Sequence, residues 1–161
     1  MDARALRVTV EELLAAYVRC IDNDRLEEWP DFFTDPGLYQ IMSRENAEQG
    51  WPIAVVYCDS HGMLRDRVVA HRKANIYAPH AYRHIVSSLN LAQHDDGTVR
   101  ASANYVVYRT MLDSVNYGHT EVYSVGEYRD VIVFEDKAAK FREKTVVIDT
   151  ARVLSLLVTP L

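Results

Sequence analysis

The hydrophobic period changes half-way along the chain, and this limits the fold more than any other feature. In the first half, Leu13, Leu14, Tyr17, Val18 and Ile21 recur at helical spacing, behind a Thr9–Glu12 pair that fits a capping box. This predicts a helix over 10–22. A shorter helix is expected from Leu26 to Phe33, stopped by Pro36-Gly37, with Leu26, Trp29, Phe32 and Phe33 facing the core. Leu38 to Ser43 reads as a first strand, followed by a polar loop, RENAEQG, and the short apolar run Ile53 to Tyr57. A third helix should start at the N-cap Ser60 and run to Ala74, with Met63, Leu64, Arg67, Val68 and His71 along one side.

Past residue 80 the spacing becomes that of strands: Tyr82, His84, Val86, Ser88 and Asn90 alternate with Ile85, Ser87, Leu89 and Leu91. Asp95-Asp96-Gly97 turns this strand into a second, Val99 to Leu112. Thr120 to Glu135 follows, with Gly126 as a candidate bulge, and 136–140 turns it into Phe141 to Asp149. Helices gathered first and long neighbouring strands last define an α+β chain, its helices covering one face of a curved antiparallel sheet. Such a cone has the nuclear transport factor two-like, or cystatin-like, shape and either holds a ligand or is filled by side chains. The 161 residues suit one domain, 1–161, large enough to bury a real core.

Charge removes one class of function. With 18 Lys plus Arg against 23 Asp plus Glu the net charge is -5, which gives counterion-release binding to nucleic acid little to work with. No apolar run of membrane-spanning length and no signal peptide are present, so the expected location is the cytoplasm. Cys20 and Cys58 are far apart and are expected to be reduced, buried thiols.

Reactive motifs are sparse. A Rieske cluster needs Cys and His in closely spaced pairs, and the two cysteines offer none; His61 and His71 stand ten apart, off metal-ligand spacing. HExxH, GxSxG, Walker-type and GxGxxG sequences are all missing. One catalytic arrangement remains open: His84, His80 or His119 acting with Asp22 or Asp59 and a tyrosine in the cone, as a lyase or isomerase would. Against it, His84 reads as a sheet-edge histidine bonded to a neighbour, and Arg83 as an ion-pairing or partner-facing arginine. Asp59, Arg65, Asp66 and Arg67 read as a solvated helix face. Trp51-Pro52 is either an anchor for another subunit or a cap on the core, and the terminal ARVLSLLVTPL either a last core strand or a tail on a neighbouring chain.

Several segments, in order, resemble the small (beta) subunits of aromatic-ring-hydroxylating oxygenases. These are Arg44-Glu45-Asn46, Tyr57-Cys58-Asp59 leading to Leu64 and Arg67, Tyr82-Arg83-His84-Ile85-Val86-Ser87, and Gly126-Glu127-Tyr128-Arg129-Asp130. The likeness runs from the first helix to Leu161 and is greatest to the branch acting on aromatic acids, such as salicylate 5-hydroxylase, with terephthalate and anthranilate dioxygenases beside it. It departs where Ser87-Ser88-Leu89 precede Asn90, since many relatives have an Asn soon after the Arg-His pair. The resemblance implies an α3β3 hexamer whose large subunit holds the Rieske [2Fe-2S] cluster and the mononuclear iron, fed with electrons from NADH through a reductase and ferredoxin. On this reading the chain carries no cofactor or catalytic residue, and Trp51, Tyr82, Arg83 and His84 are the candidate subunit-interface residues.

Overall fold

The computed structural model describes residues 2–136, 138–150 and 157–161. Helix α1, Ala3–Asp22, begins seven residues earlier than the Thr9 signal predicts. Asp2 caps it by accepting from the Ala5 amide at 2.8 Å, and the good helix formers of ALR-type sequence carry it forward. The Thr9 hydroxyl instead donates back to the Ala5 carbonyl at 3.0 Å. Leu6, Val10, Leu13, Leu14, Tyr17, Cys20 and Ile21 form its buried stripe.

A 3-10 helix, Leu26–Phe32, then leads directly into β1, Phe33–Ser43. Pro36-Gly37 does not end an element; it lies in an irregular stretch of the strand, where Thr34 Oγ1 donates to the Pro36 carbonyl at 2.6 Å. A Cβ on Gly37 would lie 2.6 Å from the Thr34 carbonyl oxygen, so only glycine fits. The RENAEQG stretch is a short helix, α2 (Arg44–Gln49). The Ser43 side chain caps its start, and Gly50 at φ 68° closes it. β2 is Val56–Cys58, and α3 is His61–Lys73 with Ser60 as its N-cap, as its sequence predicts.

The long strands are β3 (His80–Gln93), β4 (Val99–Met111), β5 (Thr120–Glu135) and β6 (Ala138–Ile148). The sheet runs β2-β1-β6-β5-β4-β3. It is antiparallel except where β1 pairs with β6 in parallel, so the first strand of the chain lies beside the last. Turn residues specify the consecutive hairpins, but nothing local announces that long-range pair.

Bulges reset the faces, those on β3 and β5 among them. Between Ser87 and Asn90 the register slips, with Ser88 at φ 55°. Tyr82, His84 and Val86 therefore face inward before it, and Leu89 and Leu91 after it. On β5 the bulge sits at Tyr123, between the Val107–Ser124 and Tyr108–Val122 pairs, and buries Tyr123 and Ser124 together. Gly126 is in regular register. Its role is close approach, because a Cβ there would come 2.0 Å from the Val147 carbonyl oxygen.

Aromatic rings plug the cone. Tyr17 makes edge contacts with Phe32, Phe33, Tyr128 and Phe141, and Tyr105 stacks on Tyr128 at 4.6 Å. The tail 157–161 enters this core in its own chain. Tyr17 Oη donates to the Leu161 carbonyl at 2.8 Å, and the Leu161 amide donates to Tyr39 Oη at 3.0 Å. That overturns docking of these five residues on a neighbour; 151–156 lie outside the described residues. Cys20 and Cys58 are free and buried, and burial pushes the Cys20 thiol up to about 11. None of the described helices is long and apolar enough to cross a membrane.

Candidate functional site

Tyr82 and His84 enter the interior because β3 alternates, and Asp22, the last residue of α1, meets them there. His84 Nδ1 lies 2.6 Å from Asp22 Oδ1, while the His84 amide donates to Oδ2 at 3.0 Å. Both carboxylate oxygens are thus used, which fixes Nδ1 as the donating nitrogen. The His84 side chain is wholly inaccessible, and its Nε2 is buried without a hydrogen-bond partner. This is the Asp–His half of an acid–base constellation, yet it has no route to a substrate. Its effect is to clasp the end of α1 to the sheet.

The other catalytic candidates do not join it. Asp59 is exposed at the start of α3, and His119 belongs to an exposed loop, where its amide donates to the Asn116 carbonyl. His80 uses Nδ1 on the Ala78 carbonyl at 2.8 Å, and burial lowers its pKa. A lyase or isomerase needs a roomy interior with His84 pointing into it. The rings of Tyr17, Tyr105, Tyr128, Phe33 and Phe141 occupy that space instead.

A cleft of about 760 Å³ does open, at the mouth of the cone rather than inside it. Asp22, Asp24, His71, Tyr77, His80 and Tyr82 are among its walls. Rings climb one side, His71–Tyr77–His80–Tyr82–Tyr123, at centroid spacings of 4.8, 5.4, 4.8 and 5.1 Å. His71 is held by Tyr77 Oη at Nδ1 and by Thr159 at Nε2, and burial lowers its pKa. Arg72 binds Asp24 through both carboxylate oxygens and Glu27 through a further pair, holding Glu27 down to about 2.

Of the interface candidates, Tyr82 and His84 are buried, Arg83 faces out between them, and Trp51 is 47% exposed. Trp51 therefore does not cap the core. It stands with Ile53, Val55 and Tyr57 as an exposed apolar run on the edge of the sheet. Arg67 is not part of a solvated face, because it donates to the Leu157 carbonyl at 2.5 Å and holds the tail.

Sequence reasoning missed Lys144 and Asp130. Lys144 Nζ lies 3.1 Å from Asp130 Oδ2 and 3.6 Å from the Tyr128 ring centroid, with Tyr17 and Phe141 each at 4.6 Å. The phase of Tyr128, Asp130 and Ile132 on β5 was the available signal, since alternation turns all three inward. Among the described residues no three His, Cys, Asp or Glu side chains converge as metal ligands, so the donors present do not fit an iron site.

The curved, unclosed six-stranded sheet with helices on its inner face defines an α+β cone of the nuclear transport factor two-like class. Residues 17–155 match the family described as ring hydroxylating beta subunit, and the chain belongs to that family. It is 43% identical over 145 residues to the anthranilate 1,2-dioxygenase small subunit of Burkholderia cepacia, covering 90% of this chain and 88% of that one. It is 37% identical over 147 residues to the beta 2 subunit of the terephthalate 1,2-dioxygenase terminal oxygenase component of Comamonas sp., covering 91% and 93%. Its structure superposes with a TM-score of 0.87, at 41% identity and 99% coverage of both chains, on the beta subunit ascribed to an aromatic-ring-hydroxylating dioxygenase of Novosphingobium aromaticivorans.

Proposed function

We propose that this chain is the non-catalytic small subunit of a cytoplasmic Rieske non-haem iron oxygenase acting on an aromatic acid, and that it serves assembly. The filled cone carries this reading: the Asp22–His84 pair, its imidazole wholly inaccessible, is spent on holding α1 to β3, and the Asp130–Lys144 pair is enclosed by aromatic rings. The whole chain acts as one domain, and the partner is a large subunit in an α3β3 hexamer. That partner holds the [2Fe-2S] cluster and the mononuclear iron and draws electrons from NADH by way of a reductase and ferredoxin. Trp51 and Arg83 reach the neighbouring chain, while Tyr82 and His84 hold the strand that presents Arg83. Hydroxylation of salicylate at C5 is the particular reaction assigned, ahead of dioxygenation of anthranilate or terephthalate.

Purification of the chain alone should give a colourless protein without activity or iron. Co-expression with its large subunit should give a red-brown complex with the mass of six chains that oxidises the aromatic acid. Iron bound one-to-one by the isolated chain, or turnover by it, refutes the assignment.

A further inference from the structure

We infer that the cleft at the mouth of the cone is the socket for a protruding segment of the large subunit, one with apolar shoulders and a Lys or Arg side chain at its tip. The inference rests on the assembly role just proposed and adds where the partner seats and with what chemistry.

Two loops form the rim. The loop from α3 to β3 raises Ile76 and Tyr77, and the loop from β4 to β5 raises Leu112, Val115 and Tyr117. The Leu112 amide donates to the Pro79 carbonyl at 2.8 Å, which ties the loops into one frame. Ile76 is 93% exposed, Val115 85% and Tyr117 78%, an apolar crown at loop tips where polar residues are the rule. Inside it two carboxylates, Asp24 and Glu27, bind the guanidinium of Arg72, while Asp22 is bonded to His84. That cluster holds one more carboxylate than it holds cations. Asp24 keeps its side chain 69% exposed while binding Arg72, so it can accept a second donor.

A second copy of this chain does not fit. Two mouths face to face would enclose both clefts as a void, since each is concave. Head-to-tail docking would bring the far end of another copy, about 40 Å along the strands, into the cleft. That end consists of turns of mixed charge, with Asp95, Asp96, Glu135 and Asp136 beside Lys140 and Arg142, and none of their described residues is an exposed large apolar side chain. They give the apolar crown nothing to pack against. A convex, cationic, apolar-flanked segment of a different chain satisfies both shape and charge.

The test is assembly of the complete oxygenase from small-subunit variants, read by sedimentation and by titration of the large subunit. Ile76→Asp and Tyr117→Asp should each weaken assembly by at least about tenfold, with circular dichroism and melting temperature of the small subunit unchanged because neither side chain is buried. Asp24→Asn should weaken it less, and more of its effect should vanish in high salt. Asp136→Asn, at the far end, should assemble as the parent does. If the parent chain forms no complex with the large subunit, the assembly role fails and the socket with it. If the parent assembles and both rim variants do so equally well, the socket alone is wrong. Rim variants that abolish self-association of the small subunit, yet leave the large-subunit complex intact, would give the mouth to a second copy and overturn the inference.

Discussion

Replacing Lys144 with Met leaves the Asp130 carboxylate alone in a box of aromatic rings, and the cost can be worked from the structure. Asp130 and Lys144 are both fully buried; burial raises the carboxyl to about 6 even with the ammonium 3.1 Å away, and lowers the amine. Without Lys144 the carboxyl will not ionise near neutrality and must carry a proton. Keeping a proton on a group costs about 1.4 kcal/mol for each unit that the solution lies above its pKa; the parent already carries that cost up to about pH 6, so the replacement adds about 1.4 kcal/mol at pH 7 and about 3 kcal/mol at pH 8.

The pH dependence follows from the direction of the shift. A carboxyl raised in the folded state stabilises below its unfolded pKa, and that contribution is lost as pH rises through the folded pKa. In the parent the loss is complete a little above pH 6. In Lys144→Met it continues, because the folded pKa has moved higher still. Urea unfolding at several pH values should therefore show a gap between variant and parent that is constant below about pH 6 and widens by about 1.4 kcal/mol per unit above it. Removing both charges, with Lys144→Met and Asp130→Leu together, should abolish the widening and recover most of the stability. A gap that stays constant from pH 6 to 8 would refute the reasoning.

Other consequences are simpler to state. Gly126→Ala should cost several kcal/mol or prevent soluble expression, because its methyl would overlap the Val147 carbonyl oxygen; a thermal shift under 3 °C would show that β5 and β6 separate more easily than their register implies. Deleting 158–161 removes the buried Val158 and Leu161 and the backbone bonds that Leu161 makes with the Tyr17 and Tyr39 hydroxyls, a loss of about 3 kcal/mol or more that chemical denaturation would measure. His84→Gln should lower stability by about 1–3 kcal/mol, yet leave turnover per mole of assembled iron as in the parent; a large fall in that ratio would return His84 to the chemistry.

How far the residues announced the fold depends on the range of the interaction. Short-range chemistry was readable: Ser60 capping α3, the Asp95-Asp96-Gly97 turn, and the change from helical to strand period at residue 80. Ser43 and Gly50 bracket α2 by the same chemistry, although the polar composition of RENAEQG is that of a loop. The pairing of β1 with β6 joins residues more than a hundred positions apart, and no local signal encodes it. Bulges are equally silent. The extra residue at Ser88 turns Leu89 and Leu91 inward although the alternation reads straight through it, and a glycine was the wrong place to look on β5.

The same division separates the inner site from the outer surface. Asp22 and His84 stood among several possible His and carboxylate partners because their residue types limit what they can do. Their seclusion could not be read from residue type, since it depends on Tyr17, Tyr105 and Tyr128 arriving from three elements to fill the space a substrate would need. Exposure at the mouth is likewise a property of the assembled fold. In the sequence Ile76, Val115 and Tyr117 look like ordinary core material, and only when both loops reach one end of the sheet with no described element above them do they become a surface. On the assembly role proposed above, a chain that seals its acid–base pairs and leaves large apolar side chains in water is completed by another chain. Measuring assembly and turnover separately in the same rim and interior variants keeps these two properties apart.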